Sequence, residues 1–310
     1  MKPESKIFVA GHRGLVGSAI VHELNRAGYT NIVTRTRAEL DLMDTKAVHD
    51  FFMEEKPEYV FDAAARVGGI YANDTYSAEF IYQNLTIQNN LIHNSYLSGV
   101  KKFLFLGSVC IYPKYAPTPV KEESLLNGDL EPTNEAYAIA KIAGIKMCQA
   151  YSKQYGMKTV SIMPSNLYGP NDNFHPENGH VIPAMFRKFE DNPNEVTFWG
   201  DGTPRREFLY SYDMADACIF LMNSNLESGE LINVGSGYDV TIKELSDTIA
   251  KIVNYTGKIN WDKNRPNGTP KRPLDFSKIE TMGWKPKHSL QDGLLKTYIW
   301  YKETTYTQTK

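Results

Sequence analysis

The sequence predicts an α/β protein with a doubly wound parallel sheet and a smaller C-terminal α/β domain. Three observations support this prediction: short apolar runs recur along the first half of the chain, segments of helical length separate them, and a glycine-rich turn follows the first run. Strands that alternate with helices form a parallel sheet covered on both faces. A glycine turn between the first strand and the first helix is typical of the Rossmann-type version of this sheet.

The apolar runs predict the strands. The first is residues 6–10 (KIFVA), and residues 15–26 then carry apolar side chains at helical spacing and end before Gly28, which predicts a helix. Further runs of strand length occur at residues 31–34, 59–63, 103–106 and 159–163. Each is followed by a segment long enough for a helix that crosses over to the next parallel strand.

The domain organisation is predicted from a change in composition. A turn cluster occupies residues 168–173 (YGPNDN), and later segments are richer in Pro, Gly and Asn. We expect a first domain over residues 1–170 and a second, smaller domain over residues 171–204 and 241–310. Strand-like and helical patterns in about 205–240 predict a segment that returns to the first domain.

Composition and charge restrict the partners. The 310 residues are 42% hydrophobic with a formal net charge of −2, which gives no basic surface for nucleic acid or an anionic membrane. No stretch approaches the ~20 apolar residues of a membrane-spanning helix, and no signal-peptide core precedes the first strand. We therefore expect a cytoplasmic protein that binds a small molecule.

The three cysteines, Cys110, Cys148 and Cys218, are far apart and form no Cys-x-x-Cys pair. This spacing predicts neither a disulfide framework nor a zinc site. Cys148 and Cys218 lie in apolar helical patterns and are expected in the core. No metal is expected: Cys110, His175 and His180 do not have the spacing of a common zinc site, and no fourth ligand is available.

The first turn, residues 11–17 (GHRGLVG), predicts a dinucleotide site. Glycines at positions 11, 14 and 17 permit a tight turn, close approach of backbone N–H groups to a pyrophosphate, and tight packing of helix on strand. The alternative is that these glycines serve the turn alone. Their position between a strand and a helix favours the cofactor.

The end of the second strand indicates which dinucleotide is bound. NAD sites carry an acidic residue there for the ribose hydroxyl, whereas this chain has residues 34–37 (TRTR). We therefore expect NADP(H), with Arg37 and Arg13 near the 2′-phosphate. Asp41 and Leu42 are expected near the adenine. The alternative is that one of these arginines is only a surface charge.

Tyr137 and Lys141 are the main candidates for acid/base chemistry. They are four residues apart in a helical stretch, so both side chains lie on one helix face. A tyrosine ionises near ~10, and a neighbouring cation favours its phenolate. Ser108 follows the apolar run 103–106 at the edge where ligands bind in such sheets. A lone pair of this kind is more often a surface contact, but the three residues behind a dinucleotide turn indicate a carbonyl site.

With these motifs the chain resembles the extended short-chain dehydrogenase/reductases. Within that family it resembles the NADP-dependent 3,5-epimerase/4-reductases that make GDP-L-fucose from GDP-4-keto-6-deoxy-D-mannose. Apart from the glycine turn and the Tyr-Lys stretch, the similarity is carried by residues 65–70 (ARVGGI), 110–113 (CIYP), 131–134 (EPTN), 166–170 (NLYGP), 173–176 (NFHP), 180–183 (HVIP) and 203–208 (TPRREF).

The resemblance implies roles for individual residues. It implies a reductase triad of Ser108, Tyr137 and Lys141, and an epimerisation acid/base pair of Cys110 and His180. In an extended segment Cys110 would face the same way as Ser108, two residues earlier. The resemblance also implies a set of cofactor contacts: Gly11, His12, Arg13, Gly14, Leu15, Val16, Gly17, Arg37, Asp41, Leu42, Leu106, Gly107, Lys141, Pro164, Asn166, Leu167 and His180.

The resemblance places the GDP-sugar against Lys188, Trp199, Arg206 and Asn267. Two positions depart from the pattern: Asn267 stands where relatives carry Asp, and Val109 stands where they carry a second serine. A homodimer is implied, with helices near residues 75–98 and 135–155 packing across a two-fold axis.

Other functions remain open on the sequence alone. Another nucleotide-sugar enzyme of this fold, a 4-epimerase or a 4,6-dehydratase, is the nearest alternative. A dehydratase requires an acidic pair after the serine, where this chain has Val109 and Cys110. A non-catalytic NADP-binding protein is the alternative from a different class, but such a protein would not be expected to retain both Tyr137 and Lys141.

Overall fold

The computed structural model describes residues 1–174, 179–265 and 273–308. The strands are β1 (Ile7–Ala10), β2 (Ile32–Val33), β3 (Tyr59–Asp62), β4 (Lys102–Leu106), β5 (Thr159–Pro164), β6 (Asn166–Tyr168), β7 (Glu195–Trp199), β8 (Arg205–Tyr210), β9 (Glu230–Val234), β10 (Asp239–Thr241) and β11 (Lys258–Asp262). The α-helices are α1 (Leu15–Arg26), α2 (Thr45–Glu55), α3 (Ile70–Thr75), α4 (Ser77–Leu97), α5 (Glu135–Tyr155), α6 (Val181–Asp191), α7 (Ser211–Asn223), α8 (Ile242–Ile252), α9 (Ser277–Thr281) and α10 (Leu290–Gln308).

The large sheet is parallel throughout and has the order β2-β1-β3-β4-β5-β9 among the described strands. The strand order reverses between β1 and β3, because β2 lies on one side of β1 and the later strands lie on the other. In open α/β sheets the ligand crevice lies at this switch point, beyond the carboxyl ends of the strands. The predicted doubly wound, Rossmann-type fold is therefore confirmed.

The central strands are buried on both faces, which explains why their sequences read as continuous apolar runs. On one face, Phe8 and Phe105 pack in a core with residues of α2, α4 and α5. On the other, Val9 and Leu104 pack in a second core with residues of α1 and α7. The sheet is thereby held rigidly between two helical layers.

The glycine turn brings α1 very close to the sheet. Gly11 has a φ of +76°, a conformation that costs a residue with a Cβ free energy. A Cβ on Gly17 would lie 2.1 Å from the carbonyl oxygen of Gly11. The two glycines are therefore required by the tight path of the backbone, and this path directs the amino end of α1 towards the crevice.

Helix α5 approaches the same sheet equally closely through Gly144. A Cβ at this position would lie 2.4 Å from a ring carbon of Phe105 and 2.9 Å from Oε1 of Gln88. Glycine in a helix interior costs up to ~1 kcal/mol relative to alanine. Its presence here lets the helix pack directly on the β4 side chains, with Lys141 one turn before it on the same face.

The remaining strands form two small sheets. One has the order β10-β8-β6 and the other pairs β11 with β7. Within the predicted returning segment, β8 pairs with the small sheet, whereas α7 covers the large sheet and β9 pairs with β5. The predicted division into domains stays a prediction.

Only Ser165 separates β5 in the large sheet from β6 in the small one. Its backbone N–H donates to the carbonyl of Val234 at 2.8 Å, and the residue is 6% exposed. The two sheets are therefore joined by one fixed peptide step beside the crevice.

None of the helices in the described parts of the chain combines the length and the apolar character needed to cross a membrane.

Candidate active site

The carboxyl ends of four neighbouring strands meet at the crevice. Gly11 follows β1, Asp62 ends β3, Leu106 ends β4 and Pro164 ends β5. Three of these residues are predicted cofactor contacts, and the structure brings them to one edge of the sheet. Asp62 is a polar residue at the same edge that sequence reasoning did not single out.

Ser108 and Cys110 lie in a tight turn directly after β4. The segment Val109–Ile111 is a single 3₁₀ turn with Ser108 at its amino end, so the expected extended conformation is wrong. The hydroxyl of Ser108 accepts a hydrogen bond from the backbone N–H of Cys110 at 3.4 Å, a contact that favours the turn. The two side chains still meet, because the Cys110 thiol donates to the Ser108 hydroxyl at 3.1 Å.

Tyr137 is half-buried in the first turn of α5, where its ring packs edge-on against Phe80 at 6.3 Å between centroids. Burial raises the pKa of the Tyr137 phenol well above its usual range, and the nearby Cys110 raises it further. A hydrogen bond with Ser108 acts in the opposite direction. The tyrosine is therefore a neutral O–H donor beside Ser108 and Cys110, as a proton donor to a carbonyl oxygen must be.

Lys141 is buried one turn later on the same face of α5 and is 3% exposed. Its ammonium donates to the carbonyl of Leu106 at 2.8 Å and lies 4.7 Å from the ring centroid of Phe105. The distance from Nζ to the Tyr137 ring centroid is 6.0 Å. Burial lowers the pKa of Lys141, whereas Asp62 and Cys110 raise it.

His180 lies at the amino end of α6 and forms an ion pair with Asp172. Its Nδ1 is 3.3 Å from Oδ1 of Asp172, whose side chain is 2% exposed. This hydrogen bond is the main cause of a raised His180 pKa, which burial partly opposes. A carboxylate oxygen accepts in this contact, so the contact favours a proton on Nδ1 of His180. No sequence argument singled out Asp172, because it was assigned to the turn cluster at residues 168–173.

The predicted dinucleotide turn follows β1, at the point where the strand order of the large sheet reverses. Gly14 begins α1 without a side-chain cap, so the first backbone N–H groups of the helix are left for an anion. Arg37 is 77% exposed and 3.6 Å from Asp41. Arg35, in contrast, is bound to Glu55 and lies over the Phe51 ring at 5.3 Å. Arg35 is therefore engaged by two side chains, whereas Arg37 is mostly exposed.

Three further predicted cofactor residues in this region, His12, Asp41 and Leu42, are partly buried. His12 follows Gly11, and its pKa is lowered by burial and by Arg13. Leu42 packs partly against the core, and its carbonyl accepts from Asn90 at 2.9 Å. Asp41 accepts from the backbone N–H of Met43 at 3.0 Å.

A cleft of about 230 Å³ lies between the small sheets and the start of α6. Its walls include Asn166, Val181, Trp199 and Arg206. The indole of Trp199 is 64% exposed and carries the guanidinium of Arg265 at 5.1 Å from the ring centroid. Trp199 and Arg206, both predicted to hold the sugar nucleotide, therefore line one cleft, and Val181, the residue after His180, lines it too.

Lys188, a third predicted substrate residue, is not among the described residues that line this cleft. Lys188 donates to the carbonyl of Thr197 at 3.1 Å and lies over the Phe198 ring at 5.2 Å. Burial lowers its pKa. Asn267 lies outside the described residues. In the parts that the structure describes, no cluster of three or more His, Cys, Asp or Glu side chains could hold a metal ion.

Comparison with protein families matches residues 7–235 to the model of the NAD dependent epimerase/dehydratase family. The chain belongs to this family. The match covers every strand of the large sheet, the glycine turn and α5, and it includes Ser108, Tyr137 and Lys141.

Among curated members of the NAD dependent epimerase/dehydratase family, GDP-L-fucose synthase 1 of Arabidopsis thaliana is 58% identical over 303 residues, which are 96% of this chain and 93% of that protein. GDP-L-fucose synthase of Escherichia coli (strain K12) is 52% identical over 312 residues, 97% of each chain. The solved structure of a GDP-L-fucose synthetase from Naegleria fowleri bound to NADP has a TM-score of 0.93 and 29% identity, and the match covers 99% of this chain and 95% of that one.

The role of Asp172 is testable without any substrate. Replacing it with asparagine removes the charge that stabilises the imidazolium, so we predict a lower pKa for His180 in Asp172→Asn, measured by NMR titration of the ring Hε1 signal. A raised histidine pKa contributes stability that is present below the unfolded value of 6.5 and is lost as pH rises through the folded value. The variant should therefore lose stability mainly on the acid side.

The matched control is Asp191→Asn, which changes an exposed carboxylate at the far end of α6. It should leave the His180 titration unchanged. Equal titrations in the wild type and Asp172→Asn would show that the contact does not influence the histidine.

Proposed function

We propose that the protein converts GDP-4-keto-6-deoxy-D-mannose to GDP-L-fucose by epimerisation at C3 and C5 and then NADPH-dependent reduction at C4. The observation that carries the proposal is the convergence of Ser108, Cys110, Tyr137 and Lys141 at the end of β4. Arg206 lines a cleft that also includes Asn166, two residues after the end of β5. The names and high identity of the curated relatives support the same substrate.

NADP(H) fits the switch point on two structural grounds. The glycine turn leaves the amino end of α1 without a side-chain cap, and the space where a Cβ on Gly14 would stand has only the Gly11 carbonyl within reach, at 3.5 Å. The backbone of residues 11–17 would hold the pyrophosphate, and Arg37 with Arg13 would hold the 2′-phosphate. When bound, the reduced cofactor supplies the hydride for C4.

Epimerisation uses the acidity of protons next to the keto group. Hydrogen bonds from Ser108 and Tyr137 to the C4 oxygen stabilise the enolate that forms when a proton leaves C3 or C5. The sulfur of Cys110 is 3.1 Å from the Ser108 hydroxyl. As a thiolate, Cys110 would remove the proton from the ring carbon next to the carbonyl that Ser108 holds. Asp172 raises the pKa of His180, so the imidazole stays protonated to higher pH and can return a proton from the other face.

Reduction uses the same hydrogen bonds at a later stage. As negative charge develops on the C4 oxygen, Tyr137 donates its phenolic proton, and the Lys141 ammonium stabilises the phenolate that remains. Ser108 keeps the oxygen in place during both stages. One carbonyl position therefore serves all three chemical steps.

The cation at the cleft, Arg206, is proposed to bind the GDP diphosphate. It is partly buried, which lowers its pKa, and it donates to the carbonyl of Arg205 at 2.8 Å. Trp199 with Arg265 offers a flat, cationic surface for the base, and Lys188 and Asn267 stay predicted contacts. The expected cytoplasmic location also stays a prediction.

The function is tested by incubating the protein with GDP-4-keto-6-deoxymannose and NADPH in D₂O. We expect oxidation of NADPH, followed by its absorbance, and deuterium at C3 and C5 of the GDP-L-fucose formed. Absence of NADPH oxidation by the folded wild-type protein would contradict the proposal.

Cys110→Ser separates epimerisation from cofactor binding. A hydroxyl is a far weaker base than a thiolate near neutral pH, so exchange at C3 or C5 should fall by about 10²-fold or more. Binding of NADPH, measured by fluorescence titration, should stay within twofold of the wild type. Cys148→Ser changes a buried cysteine behind the site and serves as the control for folding. Wild-type exchange in Cys110→Ser would remove Cys110 from the mechanism.

Arg37→Ser tests the choice of dinucleotide. Losing a charge-assisted contact to the 2′-phosphate should weaken NADPH binding roughly 10- to 100-fold and leave NADH binding nearly unchanged. The control is Arg26→Ser, at the opposite end of α1. A wild-type enzyme that used NADH as efficiently as NADPH would contradict the NADP(H) assignment.

We also propose a homodimer through α4 and α5. These two helices pack on each other and still expose large apolar side chains, namely Tyr82, Leu97, Ile139 and Tyr155. Light scattering should give twice the 35.1 kDa mass of the chain. Ile139→Glu should shift the protein towards the monomer, whereas Ile299→Glu, on α10, should not. A wild-type monomer at micromolar concentration would contradict the proposal.

A further inference from the structure

A row of side chains crosses the large sheet directly under α5. Asp62 of β3 is in register with Phe105 of β4, which is in register with Ser161 of β5. Paired residues of parallel strands project on the same side of a sheet. This is the side on which Phe105 packs with α4 and α5, and the Lys141 ammonium lies over that phenylalanine ring. Asp62 therefore projects towards the helix that carries Lys141.

The carboxylate of Asp62 is buried and only half satisfied. The residue is 1% exposed, and its Oδ1 accepts from the backbone N–H of Ala64 at 3.1 Å. Its Oδ2 has no hydrogen-bond partner among the described residues. A buried carboxylate without a full set of partners is unfavourable for folding, so its presence requires an explanation. The acid/base steps proposed above do not use it.

Lys141 is a buried ammonium. Among the described contacts it makes one hydrogen bond, to the carbonyl of Leu106. Buried charges in proteins are usually compensated by an opposite charge. Asp62 raises the pKa of Lys141, and Lys141 lowers that of Asp62 while burial raises it to about 6. The two groups are thus within electrostatic range although they are not in direct contact.

The other groups that face this pair are uncharged or weakly acidic. From α5 they are Tyr137 and Cys148, whose pKa values are raised by burial, and from the turn after β4 it is Cys110. Helix α4 contributes the neutral amide of Gln88, which is 2% exposed and donates to the carbonyl of Ala140, next to Lys141, at 2.6 Å. In this part of the described structure, Asp62 is the one carboxylate that acts on Lys141.

We propose that Asp62 is a positioning residue whose buried carboxylate is the counter-charge that keeps Lys141 an ammonium beside Tyr137. This inference deepens the proposed function, because a charged Lys141 is what stabilises the phenolate left when Tyr137 gives its proton to the substrate. It adds to the site a residue from β3, behind the triad and out of reach of the substrate.

The first experiment does not depend on the substrate. Protein labelled with ¹³C at the lysine Cε is titrated by NMR, and the Lys141 signal is identified by its loss in Lys141→Arg. In Asp62→Asn the titration midpoint of Lys141 should move to lower pH, because the opposing charge is gone. Ser161→Ala, which alters the other polar residue of the row, should leave the midpoint unchanged. Coinciding midpoints in wild type and Asp62→Asn would overturn the inference even if the proposed function holds.

The second experiment is the pH profile of NADPH oxidation with the 4-keto sugar nucleotide. Below about pH 6 the wild-type carboxylate is protonated, so Asp62→Asn and wild type should react at equal rates. At alkaline pH the variant should lose about tenfold or more in kcat, because its Lys141 loses its proton earlier. A superimposable profile overturns the inference. An inactive wild type, in contrast, refutes the proposed function and leaves the NMR result as the test of Asp62.

The thermal unfolding midpoint distinguishes the proposed role of Asp62 from a purely structural one. Asparagine spares the protein the burial of a carboxylate, so at pH 8 the thermal unfolding midpoint of Asp62→Asn should equal or exceed that of wild type. Asp62→Leu, which removes every polar atom, should show the same shift of the Lys141 titration midpoint to lower pH. A loss of activity that is equal at all pH values and accompanied by a lower unfolding midpoint would assign Asp62 to folding alone.

Discussion

The close approach of α5 to β4 is the constraint on which the site depends. Gly144 has no side chain, so the helix rests on the Phe105 ring and Lys141 reaches the carbonyl at the end of the strand. Tyr137 then lies one turn nearer the crevice, where it meets Ser108. A helix held farther from the sheet would separate the phenol from the hydroxyl, although every one of these residues would still be present.

Burial controls the chemistry of this arrangement. It raises the pKa of Tyr137, lowers that of Lys141, and makes each neighbouring charge more effective than it would be in water. The same principle applies to His180, whose buried partner Asp172 outweighs the effect of desolvation. The protein thus adjusts proton affinities through burial and through neighbouring side chains.

The sequence predicted the fold well, because the fold rests on local patterns, and the site residues stay predictions that rest on equally local ones. The glycine turn and the spacing of Tyr137 and Lys141 act over fewer than ten residues, and the apolar runs mark the strands of a sheet buried on both faces. The turn conformation at Cys110 was predicted wrongly, since a serine cap after β4 overrides the tendency of the strand to continue.

Asp62 and Asp172 could not be found from the sequence, because their importance depends on tertiary contacts. Asp62 ends an apolar run and looks like the polar residue that commonly follows a strand, and its partner is on a helix far along the chain. Asp172 lies in a turn whose composition is explained by the turn itself. Register between strands and burial reveal such residues, and neither can be read from one sequence.

The single-residue step at Ser165 has a mechanical consequence. Since β5 and β6 belong to different sheets and Ser165 is bonded to the backbone of Val234, the edge of the large sheet and the neighbouring wall of the cleft are joined by a link too short and too well bonded to act as a hinge. At this link, therefore, the end of β5 and the beginning of the cleft wall move together. Discrimination between sugars would then be set by the shape of the cleft, and changing its wall residues would retune selectivity without altering how far the two halves of the site can open.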